Sequence, residues 1–179
     1  MYDYEKLVYL DLQKTGSRFV VDFLEAACKL RLRYGDEHIF VREDYDPDKY
    51  YFITVRHPET QYSSLYRYGL GDNKGFVYRS LVNSGREDLY DAENPRFNDW
   101  LEFVLDENNM DCLGEGYEKV SPSLNLGFMS FRYLCYATLH PFRLFDIFQR
   151  NKGCLALVNK TSIVDYVIKM ENLNGSLLD

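Results

Sequence analysis

The chain lacks the features that would place it most quickly. No run approaches the roughly 20 apolar residues of a bilayer-crossing helix, and the opening MYDYEKLVYL carries no basic segment ahead of a long apolar core. Neither a membrane span nor an export signal is read, and a cytoplasmic place is expected unless an anchor lies outside this sequence. Positive charge is in deficit: 21 Lys and Arg against 28 Asp and Glu give a net charge of -7. Such a surface does not offer the broad basic face that nucleic-acid binding by counterion release requires, so any anion site must be local. Cys28, Cys112, Cys135 and Cys154 show neither CxxC nor zinc-like spacing. Buried free thiols are expected, with Cys28 on the apolar side of a predicted helix, and a Cys112–Cys135 bridge stays open. No internal repeat or low-complexity tract is visible.

What is present is apolar bulk: 179 residues, 46% hydrophobic, suffice for one self-sufficient domain over 1–179. Lys6 to Leu12 is mostly apolar or aromatic and predicts a first strand covered on both faces. Val20, Phe23, Leu24, Ala27 and Leu30 recur at helical spacing, predicting a helix from Ser17 to about Arg33 that ends at Gly35. After the apolar run His38 to Arg42 and an acidic turn, Tyr50 to Val55 predicts a second strand. Pro58 then opens a helix with Tyr62, Leu65 and Tyr66 on its buried side. Gly69 to Asn94 reads as a loop with a short helix near Phe76 to Val82. Pro95 to Glu107 reads as a helix with Phe97, Leu101, Val104 and Leu105 on one side. Met110 to Leu126 reads as another loop; Gly127 to Leu139 and Phe142 to Arg150 read as helices, and Val164 to Met170 as a late strand. This order predicts a three-layer α/β domain, with a central, mainly parallel sheet flanked by helices and a ligand at the carboxyl ends of the strands.

Two strand-to-helix junctions are polar. Lys14-Thr15-Gly16-Ser17-Arg18 follows the first strand without the full GxxxxGK[ST] pattern, so an ordinary ATP or GTP loop fits poorly, and both a plain loop and an anion site stay open. At the second, Arg56 ends a strand and Ser64 lies two turns into the next helix; a forked guanidinium and a nearby hydroxyl suit a phosphate.

Together these segments resemble the sulfotransferases that use 3′-phosphoadenosine 5′-phosphosulfate, in particular the carbohydrate branch that includes the heparan-sulfate enzymes. In that family a Lys-Thr-Gly-Gly/Ser-Thr/Ser turn holds the 5′-phosphosulfate, and here the stretch is Lys14-Thr15-Gly16-Ser17-Arg18. A strand ending Val-Arg-Asp/Asn-Pro, followed by a helix carrying Ser and an aromatic-Arg pair, holds the 3′-phosphate. Here it reads Val55-Arg56-His57-Pro58, then Ser64-Leu65-Tyr66-Arg67. Asp165 to Leu173 looks like the family's late strand and Glu-Asn-Leu ending. The chain departs from the pattern at Gln13, which replaces a usual Pro, at Arg18, which replaces a small hydroxyl residue, and at His57, which replaces Asp or Asn. Relatives commonly continue beyond the Glu-Asn-Leu segment, so a C-terminal extension is expected to be missing.

The resemblance implies a P-loop-like fold, the sulfonucleotide as donor with no metal, and a hydroxyl-bearing acceptor, best a carbohydrate. Lys14, Thr15, Gly16, Ser17, Arg18, Arg56 and Ser64 would bind the donor. Lys14 would also stabilise the leaving charge, and His38 would be the base, with Glu43 and Asp44 as alternates. His140 is read as structural. Tyr66, Tyr68, Tyr78 and Tyr90 are candidate acceptor contacts, while most other aromatics are read as core. Two alternatives stay open: a P-loop-type nucleotide kinase or phosphotransferase, and a non-catalytic nucleotide-binding protein with the sulfotransferase fold.

Overall fold

The computed structural model describes residues 1–42, 44–71, 74–120, 124–151 and 155–173. They form two compact units. The first contains Met1–His57, Arg132–Leu144 and the described part of Cys154–Asp179; the second contains Pro58–Phe131 and the described part of Phe145–Gly153.

The first unit is built on a five-stranded mixed sheet in the order β3-β1-β2-β4-β5. Its strands are β1 (Tyr2–Tyr4), β2 (Leu7–Leu10), β3 (Tyr34–Gly35), β4 (Tyr50–Val55) and β5 (Tyr166–Lys169). The centre is parallel, β2 against β4 and β4 against β5, whereas β1 pairs antiparallel with both β2 and β3. The mainly parallel expectation therefore holds for the centre only, and the fold class is α/β with a mixed sheet. Along β2 and β4 successive side chains enter opposite faces. Val8, Leu10, Tyr51 and Ile53 pack with Tyr136 and Ile163 on one face. Tyr9 and Phe52 pack with Val20, Leu24 and Ile168 on the other.

The helix after β2 is shorter than its periodicity predicts. α1 (Ser17–Asp22) passes into a π-helical turn at Phe23–Ala27, and Cys28 N–H donates to the Phe23 carbonyl at 3.0 Å. The wider turn ends the apolar stripe at Leu24, so Cys28 is exposed, contrary to its expected burial. The chain then reverses through Lys29, whose φ is 55°. It returns to the sheet, where Arg33 N–H donates to the Asp3 carbonyl at 2.8 Å. Gly35, expected to end the helix, is instead a strand residue. A Cβ there would lie 2.7 Å from the Tyr2 ring, so close approach to β1 explains the glycine. Cys112 is half-buried, Cys135 is buried and both are free thiols; Cys154 lies outside the described residues.

The second unit contains α2 (Pro58–Leu70), α3 (Phe76–Asn83), α4 (Phe97–Leu105) and 3₁₀ turns at Glu87–Tyr90, Glu107–Cys112 and Tyr117–Lys119. Pro58 and Glu59 suit the first turn of α2, and Tyr62, Leu65 and Tyr66 are buried as their spacing predicts. On α4 the buried residues are Trp100 and Val104, while Leu105 is exposed, so the apolar face is rotated from the predicted one. Trp100 lies 5.3 Å from the Tyr66 ring centre, and its indole N–H donates to the Tyr90 hydroxyl at 2.8 Å. Tyr66 donates to the Leu89 carbonyl at 3.2 Å and accepts the Arg96 N–H at 2.8 Å. Tyr66, Tyr78 and Tyr90 are thus core residues of this unit, not surface contacts for an acceptor; Tyr68 is partly exposed.

Three helices remain. α5 (Phe128–Ala137) and α6 (Pro141–Asn151) flank the Pro141 break, and α7 (Leu155–Thr161) precedes β5. No helix among the described residues is long and apolar enough to cross a membrane.

Candidate functional site

The parallel register sets the edge at which the site forms. Leu10 is level with Ile53 and Val55 with Lys169, so β2, β4 and β5 all run out at one edge. From it emerge the Lys14 turn, Arg56 and the 3₁₀ turn Met170–Asn172. All three belong to the first unit.

The Lys14 turn is tight. Lys14 and Gly16 both have left-handed backbones, at φ 65° and 88°. A side chain at Gly16 would be strained by that angle and would also meet Met170 Cε at 3.2 Å. The Glu-Asn-Leu segment therefore packs on the turn and helps to fix it. Lys14, an L-residue with a side chain, adopts this conformation at a penalty of about 1–3 kcal/mol that the surroundings must offset.

Beneath the turn lies a buried hydroxyl chain. Thr15 donates to the Leu12 carbonyl at 2.6 Å, and its oxygen is 2.7 Å from the Thr54 hydroxyl, which is 2.7 Å from that of Tyr9. Because Thr15 has spent its proton on Leu12, Thr54 donates to Thr15 and accepts from Tyr9. Burial pushes the Tyr9 phenol up to about 12, so it keeps its proton. Tyr9 also reaches Ser17 Oγ at 3.4 Å, and Ser17 donates to Asp11. The Thr15 side chain is fully buried and serves the turn's shape.

Positive charge collects at the mouth. Burial first, then Arg18 and Arg56, hold the Lys14 ammonium below its ordinary value. Lys14 thus feels two like charges, and an anion bound beside it would relieve that repulsion. Arg18, a departure from the family pattern, is exposed at the start of α1 and is one of the two. His57 N–H donates to a Glu171 carboxylate oxygen at 2.8 Å, which fixes the backbone beside Arg56. Ser64 is on α2, in the second unit, and is partly buried. His140 is exposed, and its carbonyl accepts Leu144 N–H at 3.1 Å at the start of α6.

His38 belongs to an irregular segment beside the same turn. Its backbone φ is 61°. Its N–H lies 3.3 Å from Asp11 Oδ2, and its Nδ1 lies 3.2 Å from both that oxygen and the Asp11 carbonyl. Asp11 is 1% exposed and the His38 side chain 35%. Burial disfavours charge on both. For His38 the hydrogen bonds and charge of Asp11 outweigh burial and raise its pKa; for Asp11 the His38 and Ser17 contacts outweigh burial and lower its own. An ionised carboxylate only accepts, so Nδ1 carries the proton and Nε2 is the lone pair available as a base. Ser17 bonds to the carboxylate and not to the imidazole, which is not the order of a nucleophile-base-acid triad. A cleft of about 580 Å³ is lined by His38, Ile39, Phe40, Arg42 and Asp44. Asp44 is exposed there, and Glu43 lies outside the described residues.

No family model, curated protein or solved structure matches this chain. The site therefore rests on its own geometry. That geometry adds Asp11, Tyr9, Thr54 and Glu171 to the residues expected from sequence. The available signal for Asp11 was a single carboxylate at the end of an otherwise apolar run.

Proposed function

We propose that the chain is a sulfotransferase, P-loop-like in fold, that moves a sulfuryl group from 3′-phosphoadenosine 5′-phosphosulfate to a hydroxyl, in the first place that of a carbohydrate. The observation that carries this reading is the gathering of Lys14, Arg18 and Arg56 at one sheet edge, next to a histidine held by a buried carboxylate. The donor set fits the cosubstrate: cations for its phosphates, and a crowded glycine where the turn must stay narrow.

When bound, the cosubstrate supplies the sulfuryl group, as an acceptor oxygen bonds to sulfur and the bridging sulfur–oxygen bond breaks toward phosphate. Lys14 stabilises the negative charge that develops, in a setting where burial strengthens its field. Arg56 and Arg18 hold the donor's anionic groups. His38 Nε2 takes the acceptor's proton, with Asp11 stabilising the imidazolium that results. The cleft beside His38 admits the acceptor. No metal is called for, because the cations supply the positive field.

Transfer of labelled sulfate from the cosubstrate to a panel of glycans, phenols and peptides tests the reading. At least one acceptor is expected to be labelled, and His38→Ala to slow turnover roughly 10²- to 10⁴-fold while nucleotide affinity is kept. Unchanged turnover in that variant removes His38 from the role of base, and labelling of none of the panel speaks against transfer.

A further inference from the structure

We propose that Asp11 is a positioning residue whose single carboxylate joins the two halves of the site, holding Ser17 of the Lys14 turn through one oxygen and the His38 segment through the other. This rests on the reading of Lys14 as donor site and His38 as base. Asp11 belongs to neither motif. It sits one residue past β2, three residues before Lys14, and 27 positions before His38. Its Oδ1 accepts from Ser17 Oγ; its Oδ2 lies 3.3 Å from the His38 N–H and 3.2 Å from Nδ1. Burial at 1% exposure keeps water from substituting for either partner.

The arrangement has a directional consequence. A carboxylate shared between two donors is less basic toward each than one serving a single donor. If Ser17 turns its proton away from Asp11, toward an anion on the Lys14 turn, the carboxylate pulls harder on His38. Occupancy of the donor turn would thus make the base stronger. Other charges lie nearby: Glu37 acts on His38 from its own segment, the Met1 ammonium, itself beside Asp36, acts on Asp11, and Arg42 and Asp44 line the same cleft. None of them touches Ser17 in the described contacts, so only Asp11 links base and turn.

The test is histidine titration by nuclear magnetic resonance in the full chain, without nucleotide or acceptor. The chain has three histidines, and His38→Gln assigns the signal. In the unsubstituted protein neutral His38 is expected to carry its proton on Nδ1, the tautomer a free histidine disfavours; a proton on Nε2 overturns the proposal without any variant. Asp11→Asn is expected to lower the His38 midpoint by about one pH unit, and Ser17→Ala to raise it by a smaller amount. In the Asp11→Asn background Ser17→Ala is expected to do nothing. Opposite signs with loss of the second effect establish the link. Equal signs, or no shift in Ser17→Ala, overturn it. The readout needs no turnover, so failed sulfate transfer with these shifts intact would dismiss the reaction and keep the link.

Discussion

Two buried polar networks can be compared, one in each unit, and they differ in the charge around them. In the second unit the Trp100 indole donates to Tyr90, and Tyr66 donates to the Leu89 carbonyl and accepts the Arg96 N–H, all between neutral groups. The stacked, tilted and edge-on rings of Tyr66, Tyr90 and Trp100 supply the packing. In the first unit the Tyr9–Thr54–Thr15 chain lies beside an ionised carboxylate, a histidine with a third of its side chain exposed, and a lysine acted on by two arginines. An anionic ligand beside Lys14 would offset the repulsion it feels from Arg18 and Arg56. Aromatic abundance thus marks core in one unit, and like charges acting on a half-buried lysine mark the candidate site in the other.

The largest effect that sharpens this contrast is on stability. Trp100→Ala is expected to lower the free energy of unfolding by about 3–5 kcal/mol, as loss of a fully buried large ring does, measured by denaturant titration. Nucleotide affinity of the folded protein should not move. A parallel loss of affinity would erase the distinction between the two networks.

Next in size is the reverse pattern. Arg56→Ala, or Lys14→Ala, is expected to weaken binding of a 3′,5′-bisphosphorylated nucleotide by roughly 10- to 150-fold, the worth of a charge-assisted contact of about 1.5–3 kcal/mol. Stability should change by no more than about 1 kcal/mol. The loss should shrink at high salt, because the mouth of the site is open to screening.

Smallest is the pH dependence of stability from the Asp11–His38 pair. His38 is raised above its ordinary 6.5, so its contribution is complete below that value and fades as pH rises through the raised one. Asp11 is lowered below its ordinary 3.8, so its contribution is complete above that value and fades as pH falls through the lowered one. The pair therefore acts fully between about pH 4 and 6.5. Asp11→Asn should narrow the gap between unfolding midpoints at pH 5.5 and at pH 8.5, and an unchanged gap would assign the pair no role in stability.

Much of the frame was legible in the sequence. Tyr50–Val55 emerges as a strand with the predicted limits because its six residues are apolar, β-branched or aromatic, and all but the first are at least partly buried. The periodicity of α2 names its buried residues. β1 was missed because its three residues turn into β2 through Glu5 at φ 74°, without the Asn-Gly or Asp-Gly signal of a hairpin. The early end of α1 was missed because backbone pairing of Arg33 and Tyr34 with β1 overrides a continuing helical pattern. Lys14 and Arg56 could be paired from sequence since parallel neighbours end at one edge. The partner of His38 could not, because a contact across 27 residues depends on where the irregular segment lands.

The central claim, that the Lys14 edge is a site for a 3′-phosphorylated sulfonucleotide, is tested most directly by calorimetry of the unsubstituted chain with adenosine 3′,5′-bisphosphate and with ATP, each with and without Mg²⁺. Preference for the bisphosphate, unaffected by the metal, is the expected result. Preference for ATP that depends on Mg²⁺, or binding of neither nucleotide, would contradict it.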